Sequence, residues 1–565
     1  MSVVSRQQQT GADALVDILK KFNVDTAYCV PGESYLAVLE SLYHHSSSLQ
    51  LITCRHEAGA ANMAEAYGKL TKKPGICFVT RGPGATHASI GVHTAFQDST
   101  PMILFIGQVA RDCKGREGFQ EVDYQEMFRP LAKWVVEIDN PNRMSEILTQ
   151  AFTKATTGRP GPVVVSLPED MLREVVSTPQ MIKDLPSSMA APHPGELQKL
   201  SAALSSAQRP FVLVGGSCWT DQAKQQMEAW ALKNKLPIAT SFRSQDVCHN
   251  DHPCYAGDVG IAINPKLANN LKKSDLLIVI GPRLGEMTTG GYQLFAAPVP
   301  AQKLVHIFPD PGEIGRVYQA DIAFPTSIPA FVEQMTQHIP SLPGWPDWVE
   351  ENRQNYVDFS EADQLYEKEP CVNMAKIIKY LRATLSHEAI ITNGAGNYAG
   401  WVHRYYRYNH FKSQLAPTSG AMGYGLPAAI AAKIAFPARQ VVCFAGDGCL
   451  MMSIQELATA VRYKANIIVI VVNNNMYGTI RMHQEKNYPE HVSGTLLTNP
   501  DFCALAESFG FWGGVVEKTD DFAAVFSEAL AANKPALIEI KVDPGYITPQ
   551  MTLTQIQEQA KKTHD

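Results

Sequence analysis

Val441-Val442-Cys443-Phe444-Ala445-Gly446-Asp447-Gly448-Cys449 is an apolar run that breaks at a Gly-Asp-Gly turn. Residues 453–463 follow with a helical period, and a second apolar run, 467–472, ends in Asn473-Asn474-Asn475-Met476-Tyr477-Gly478. The interval from Gly446 to Asn474 is about 30 residues, one strand–helix–strand unit, whose right-handed crossover returns the second strand beside the first. The two strand ends are then neighbours, and parallel sheets bind ligands outside the carboxyl ends of their strands. Asp447 and Asn474 are therefore expected to converge on one hard cation, with a loop carbonyl and diphosphate oxygens completing the set that Mg²⁺ prefers. The glycines admit backbone N–H groups close to the phosphates, and a helix starting near Ser453 adds its positive end. Alone, each tripeptide is an ordinary turn or helix cap. The pair at this separation, each closing an apolar strand, points to a site.

The same alternation extends outward. Short β-branched or aliphatic runs at 76–80, 102–106, 163–166, 211–214 and 276–280 are separated by segments of helical period. Near-continuous apolar strands of this kind lie in parallel sheets covered on both faces, so the fold class is α/β with doubly wound sheets. The chain has 565 residues, enough for three or four domains at roughly 150 residues each. Two proline-rich polar stretches, 177–196 (Pro179, Pro186, Pro192, Pro194) and 340–371 (Pro340, Pro343, Pro346), look like linkers. They divide the chain into three blocks, 1–180, 195–340 and 370–565, which share one architecture in outline.

Lys plus Arg (49) against Asp plus Glu (55) leaves a net charge of -6. No global basic field draws the chain to nucleic acid or anionic lipid, so any phosphate is held locally. The eleven cysteines are scattered without a C-x-x-C pair, and Cys77 and Cys443 sit inside apolar runs. That usage speaks for a reducing compartment and against a disulfide framework or a thiolate zinc site. The polar residues 1–11 and apolar runs far shorter than the ~20 residues of a membrane span lead to the expectation of a cytoplasmic protein.

Gly446-Asp447-Gly448 followed by Asn473-Asn474 resembles the thiamine diphosphate and Mg²⁺ signature. Over essentially the whole chain the sequence is similar to the acetolactate synthase-like branch of the 2-oxo acid decarboxylase and carboligase family. The resemblance implies a pyrimidine-binding first domain, a central domain and a third domain that binds diphosphate and Mg²⁺. It further implies that Asp447, the Asn474 side chain and the Met476 carbonyl hold Mg²⁺. Gly446, Gly448, Cys449, Tyr477 and Gly478 would line the cofactor, with Asn397 and Tyr398 of Asn393-Gly394-Ala395-Gly396-Asn397-Tyr398. In Gly420-Ala421-Met422-Gly423-Tyr424-Gly425-Leu426-Pro427, the likeness makes the Gly420 carbonyl a partner of the cofactor's 4′-amino group, and Met422 the apolar wedge that bends it.

In the first block, Arg55-His56-Glu57 opens an Ala- and Gly-rich helix able to pack closely on another backbone. A Glu in a first helical turn is ordinarily a dipole-stabilising residue. The segment is similar to the family's Arg-His-Glu stretch, whose Glu bonds N1′ of the aminopyrimidine; protonation there favours the imino tautomer that removes the thiazolium C2 proton. Glu57 is thus the foremost catalytic candidate. Likeness continues at Pro31-Gly32-Glu33, at Arg81-Gly82-Pro83-Gly84-Ala85-Thr86-His87 and at Gly118-Phe119-Gln120-Glu121, followed by Lys133-Trp134. It implies that Phe119, Gln120 and Lys133 line the approach to C2, and it adds Gly32 to the cofactor residues. His56, His87 and His93 read equally well as satisfied polar residues. Family members hold the cofactor between the first domain of one subunit and the third of another, which implies a homodimer or homotetramer with shared sites.

The chain departs from acetohydroxyacid synthases in three places. Gly281-Pro282-Arg283-Leu284-Gly285-Glu286-Met287 stands where those enzymes have Gly-x-Arg-Phe-Asp-Asp-Arg, and the thioether of Met287 cannot form the paired fork that recognises an acceptor carboxylate. Gly257-Asp258-Val259-Gly260 and Ile307-Phe308-Pro309-Asp310-Pro311 replace flavin-contacting loops, so no tightly held FAD is expected. After the metal loop, Thr479, Ile480 and His483 replace larger apolar or aromatic residues; His483 either binds a polar substrate or faces solvent. The expected activity is thiamine diphosphate- and Mg²⁺-dependent decarboxylation of a 2-oxo acid with carboligation. A plain decarboxylase, an aldehyde lyase or ligase and a 2-hydroxyacyl-CoA lyase are the alternatives, with Arg283 and Arg316 as candidates to receive a CoA nucleotide. A non-catalytic cofactor-binding protein would be expected to lose the Glu or the metal ligands, and both are present.

Overall fold

A computed structural model describes residues 8–177, 183, 189–362 and 372–564. Pro179, Pro186 and residues 363–371 of the two expected linkers lie outside the described residues. Three six-stranded sheets, each wholly parallel, carry the chain. The first contains β1 (Thr26–Cys29), β2 (Gln50–Thr53), β3 (Gly75–Val79), β4 (Met102–Gln108), β5 (Trp134–Glu137) and β6 (Pro162–Pro168), in the order β2-β1-β3-β4-β6-β5. The central sheet contains β7 (Pro210–Val214), β8 (Ile238–Thr240), β9 (Tyr255–Asp258), β10 (Leu276–Ile280), β11 (Lys303–Ile307) and β12 (Ile322–Phe324), in the order β12-β11-β10-β7-β8-β9. The third contains β13 (Ile390–Asn393), β14 (Gln414–Leu415), β15 (Val441–Gly446), β16 (Ile468–Asn473), β17 (Trp512–Val516) and β18 (Ala536–Lys541), in the order β14-β13-β15-β16-β18-β17.

The apolar runs of the sequence become the central strands because helices cover both faces: every residue of β4 and β16 is buried. The first and third sheets have the same strand order, whereas the central sheet winds outward from β7 and β10 in a different one, so the three blocks share their layers but not their topology. The Ala- and Gly-rich helix Glu57–Thr71 packs on the helix Pro83–Asp98 at backbone distance. A Cβ added to Gly91 would lie 2.4 Å from that of Ala61.

The second expected linker is corrected. Pro346–Glu361 is an α-helix that starts with its proline in the first turn, a favoured position, and buries Val349 and Tyr356 in the central core beside Trp345. Its polar surface, rather than its structure, produced the linker pattern. The first domain, with residues 430–435, belongs to one compact unit, and the central domain with the rest of the third belongs to another. Within the latter, Arg243 donates to the Gly394 carbonyl (3.1 Å) and to that of Pro417, tying the loops that follow β13 and β14 to the central domain. No helix among the described residues is long and apolar enough to cross a membrane.

Candidate active site

In the third domain β15 and β16 are adjacent, with Gly446 opposite Val472, so the Gly-Asp-Gly turn and the Asn-rich loop meet at one edge of the sheet. The expected helix near Ser453 is present, capped at Ser453, as the 3-10 turn Ile454–Glu456 running straight into Leu457–Arg462, and a short helix that was not expected, Asp447–Met451, begins at the Gly-Asp-Gly turn itself with Gly446 at its cap. Asp447 is 2% exposed. Its Oδ1 accepts from Gly448 N–H (2.9 Å) and its Oδ2 from the Asn499 amide (2.8 Å). Burial pushes its pKa up against these hydrogen bonds. Asn474 Oδ1 accepts from Met476 N–H (3.2 Å), and the Met476 carbonyl from Gly478 N–H (2.9 Å), which leaves a lone pair on each oxygen. Tyr477 N–H reaches back to Thr495 (2.8 Å). Gly448 has no room for a side chain, since a Cβ would lie 2.5 Å from the Tyr477 ring.

Around this turn, Cys449 Sγ accepts from Gly423 N–H (3.2 Å) and lies 3.4 Å from the Tyr398 hydroxyl, which in turn accepts from Gly394 N–H (3.1 Å). Asn397 Oδ1 accepts from Thr479 Oγ1 (3.0 Å). Asn397, Tyr398, Cys449 and Thr479 are therefore brought together. Gly420 has φ +69°, and a Cβ there would meet no atom within 4 Å, so its backbone faces open space. Met422 is half-buried on the domain core. Ile480 and His483, three apart on the helix Gly478–Asn487, are both exposed.

In the first domain, His56 caps the helix that Glu57 begins, its Nδ1 accepting from Ala58 N–H (3.1 Å). The Glu57 side chain is 13% exposed, and its Oε2 lies 2.9 Å from His87 Nδ1. The two imidazoles stand 4.5 Å apart. Burial and the His87 ring lower the pKa of His56. Arg81 is buried and pairs with Glu33 (3.1 Å) and Glu169 (3.2 Å) while donating to the Phe119 carbonyl (3.1 Å). This holds Phe119, exposed, and Gln120 against Gly82 at the carboxyl end of β3, while Gly32 packs on Thr80 beside them.

Lys133 is a correction. It directly precedes β5, its N–H bonds the carbonyl of Pro162 at the start of β6 (2.8 Å), and its ammonium donates to Thr157. It therefore sits at the amino edge of the sheet, whereas Glu57, Gly32 and Gly82 follow the carboxyl ends of strands. Sequence proximity to Phe119 and Gln120 suggested a shared role; the parallel register separates them.

In the central domain, Met287 is half-buried in the loop after β10. Arg283 is neutralised by Glu313 (2.9 Å), which also lies 3.5 Å from Arg316. These residues, with His306 and Tyr318, line a cavity of about 120 Å³. His306 is buried against the Pro282 carbonyl, and burial pushes its pKa down. Asp258, at the end of β9, has its pKa pushed up to about 7 by burial.

The donor set suits a diphosphate cofactor with its metal. A buried carboxylate whose hydrogen-bond donors are neutral amides lacks only a cation, and the oxygens nearby are the hard type that Mg²⁺ takes. Models of thiamine pyrophosphate enzymes match the chain in three places: the N-terminal TPP binding domain at residues 9–127, the central domain at 197–335 and the C-terminal TPP binding domain at 394–540. Fold and site thus define a thiamine diphosphate-dependent enzyme. The chain is 33% identical to the acetolactate synthase large subunit of Parasynechococcus marenigrum, over 95% of this chain and 88% of that one. It is 31% identical to the probable acetolactate synthase large subunit of Methanocaldococcus jannaschii (96% and 93%) and 29% identical to the acetolactate synthase isozyme 2 large subunit of Escherichia coli (94% and 95%). The chain belongs to the acetolactate synthase-like family of these enzymes. The residue that sequence reasoning missed is Asn499: an Asn before Pro500 reads as a turn, and nothing local announces its contact with Asp447.

Proposed function

We propose that the protein uses thiamine diphosphate and Mg²⁺ to decarboxylate a 2-oxo acid and join the product to an aldehyde or second 2-oxo acid. The observation that carries this is the buried Asp447, held by neutral donors beside the Asn474–Met476 loop. In this reading Asp447, the Asn474 amide oxygen and the Met476 carbonyl hold Mg²⁺, and Gly448, Cys449, Asn397 and Tyr398 bind the diphosphate. When bound, thiamine diphosphate supplies the nucleophilic carbon and electron sink that cleavage next to a carbonyl requires. Glu57 would exchange a proton with N1′, His87 Nδ1 would orient its carboxyl group, the Gly420 carbonyl would receive the amino group and Met422 would support the ring.

Self-association follows from the same reading. The relatives are named large subunits, and a dimer or tetramer lets Glu57 of one protomer serve the metal site of another. The domain limits 1–180, 195–340 and 370–565 are part of this proposal, with the helix Pro346–Glu361 added to the central domain. We infer further that no flavin is held. The support for this is that Gly257-Asp258-Val259-Gly260 and Ile307-Phe308-Pro309-Asp310-Pro311 stand where acetohydroxyacid synthases have flavin-contacting loops. Met287 favours a second reading, decarboxylation without a 2-oxo acid acceptor, because a thioether offers no donor to a carboxylate.

A proton NMR time course with thiamine diphosphate, Mg²⁺ and pyruvate tests the proposal. Acetolactate is the expected product. Acetaldehyde alone selects the decarboxylase, and untouched pyruvate overturns pyruvate as donor and moves the search to larger 2-oxo acids.

A further inference from the structure

The Asn499 amide nitrogen lies 2.8 Å from Asp447 Oδ2, 3.0 Å from Asn473 Oδ1 and 3.1 Å from Asn475 Oδ1. An amide NH₂ has two hydrogens, so three oxygens around it are more than it can satisfy with straight bonds. They mark a point toward which the loops at the ends of β15 and β16 turn their oxygens. The orientation of Asn473 is set from the other side. Its Nδ2 donates to Glu539 Oε1 (2.7 Å), and because a carboxylate oxygen accepts, the amide oxygen of Asn473 must face Asn499. Glu539 lies on β18, which pairs with β16, and is 3% exposed; Asn473 is 7% exposed. A chain of hydrogen bonds thus runs from Glu539 through Asn473 and Asn499 to Asp447.

We propose that Asn499 and Glu539 are positioning residues for the divalent-cation site, with Asn499 setting the direction of the Asp447 carboxylate and Glu539 setting the amide that holds Asn499. The proposal rests on the reading of Asp447, Asn474 and Met476 as metal ligands. Without Asn499 the buried Asp447 loses its one side-chain donor and keeps only backbone N–H donors, so its Oδ2 is held less firmly and part of the cation's binding energy goes into ordering it. Glu539→Gln keeps the shape but replaces a charged acceptor by a neutral amide that can present either its oxygen or its NH₂ to Asn473, so the Asn473 amide is held less firmly with its oxygen toward Asn499.

The test is Mn²⁺ titration followed by electron paramagnetic resonance, with saturating thiamine diphosphate, on the full-length wild type, Asn499→Ala and Glu539→Gln. Asn499→Ala is expected to weaken Mn²⁺ about tenfold, the scale of disturbed outer-shell partners, and Glu539→Gln to weaken it in the same direction. Tenfold more Mn²⁺ should restore wild-type cofactor affinity in both. Unchanged Mn²⁺ affinity in the two variants, or a lowered melting temperature with unchanged Mn²⁺ affinity, overturns the inference and leaves the metal site standing. Wild type that takes no Mn²⁺ overturns both. If Asn499→Ala does not fold, the isosteric Glu539→Gln decides alone, and failure of both to fold assigns the network a structural role and ends the proposal.

Discussion

The first and third domains have the same strand order, yet each surrounds its carboxylate at the sheet's carboxyl edge with different company. Glu57 has the His87 imidazole at 2.9 Å, with the His56 ring tilted against that of His87 at 4.5 Å. Asp447 has the Gly448 N–H and the Asn499 amide. Imidazole is the side chain whose ordinary pKa lies nearest neutrality, so it can accept or supply a proton; an amide can do neither and only orients its dipole. In the proposed reading, one copy of the topology carries a carboxylate placed to exchange a proton and the other a carboxylate placed to hold a cation. The neighbours, not the fold, set the role of the acid.

Glu57→Gln should separate the two most sharply. Turnover is expected to fall at least about a hundredfold, within the range that general acid–base groups contribute, while calorimetry finds cofactor and Mg²⁺ affinity unchanged. Full activity in this variant would sink the assigned proton role. Asp447→Asn should do the reverse, raising the Mg²⁺ needed for half-maximal cofactor binding by about a hundredfold or more. Because burial raises the pKa of Asp447, the native state favours its protonated form, and the charge costs stability above that pKa. Metal-free Asp447→Asn should accordingly melt above wild type at pH 8 and level with it at pH 4.

His87→Ala removes one hydrogen bond to the Glu57 carboxyl group. About a tenfold loss in kcat is expected, the effect of losing one hydrogen bond of about 1.5 kcal/mol, with Mg²⁺ half-saturation unmoved. Equal losses in both would show that His87 supports the domain rather than Glu57. The smallest effect lies in neither domain. Asp258, with its pKa pushed up to about 7, binds a proton in the native state that the unfolded chain has released above about pH 4. Stability from this group falls as pH rises from about 4 to about 7 and is level beyond. Asp258→Asn should raise the melting temperature by a few degrees at pH 8 and leave it unchanged at pH 4; a gain at both would assign the effect to packing.

Much of this was legible in the sequence. The apolar runs at 76–80, 102–106, 276–280 and 441–445 fall within a residue of β3, part of β4, β10 and β15, because a strand covered on both faces needs unbroken hydrophobicity. The pairing of the Gly-Asp-Gly turn with the Asn-rich loop followed from the length between them. The helix Pro346–Glu361 was hidden by its charged outer face, although Val349 and Tyr356 are spaced for one buried side. Lys133 was assigned to the site by nearness to Gln120 along the chain, and such nearness does not say which end of a strand a residue occupies.

By itself the sequence determined the α/β class and the strands, since these depend on local patterns of apolar spacing, and it proposed the acids Glu57 and Asp447, the first through its likeness to the family's Arg-His-Glu stretch and the second through turn chemistry. Only the tertiary structure decided the differing order of the central sheet, the amino-edge position of Lys133 and the convergence of Asn499, Asn473 and Glu539 near Asp447. Those depend on register and on hydrogen bonds between residues far apart in the chain, and such a bond leaves no trace in the composition around either partner.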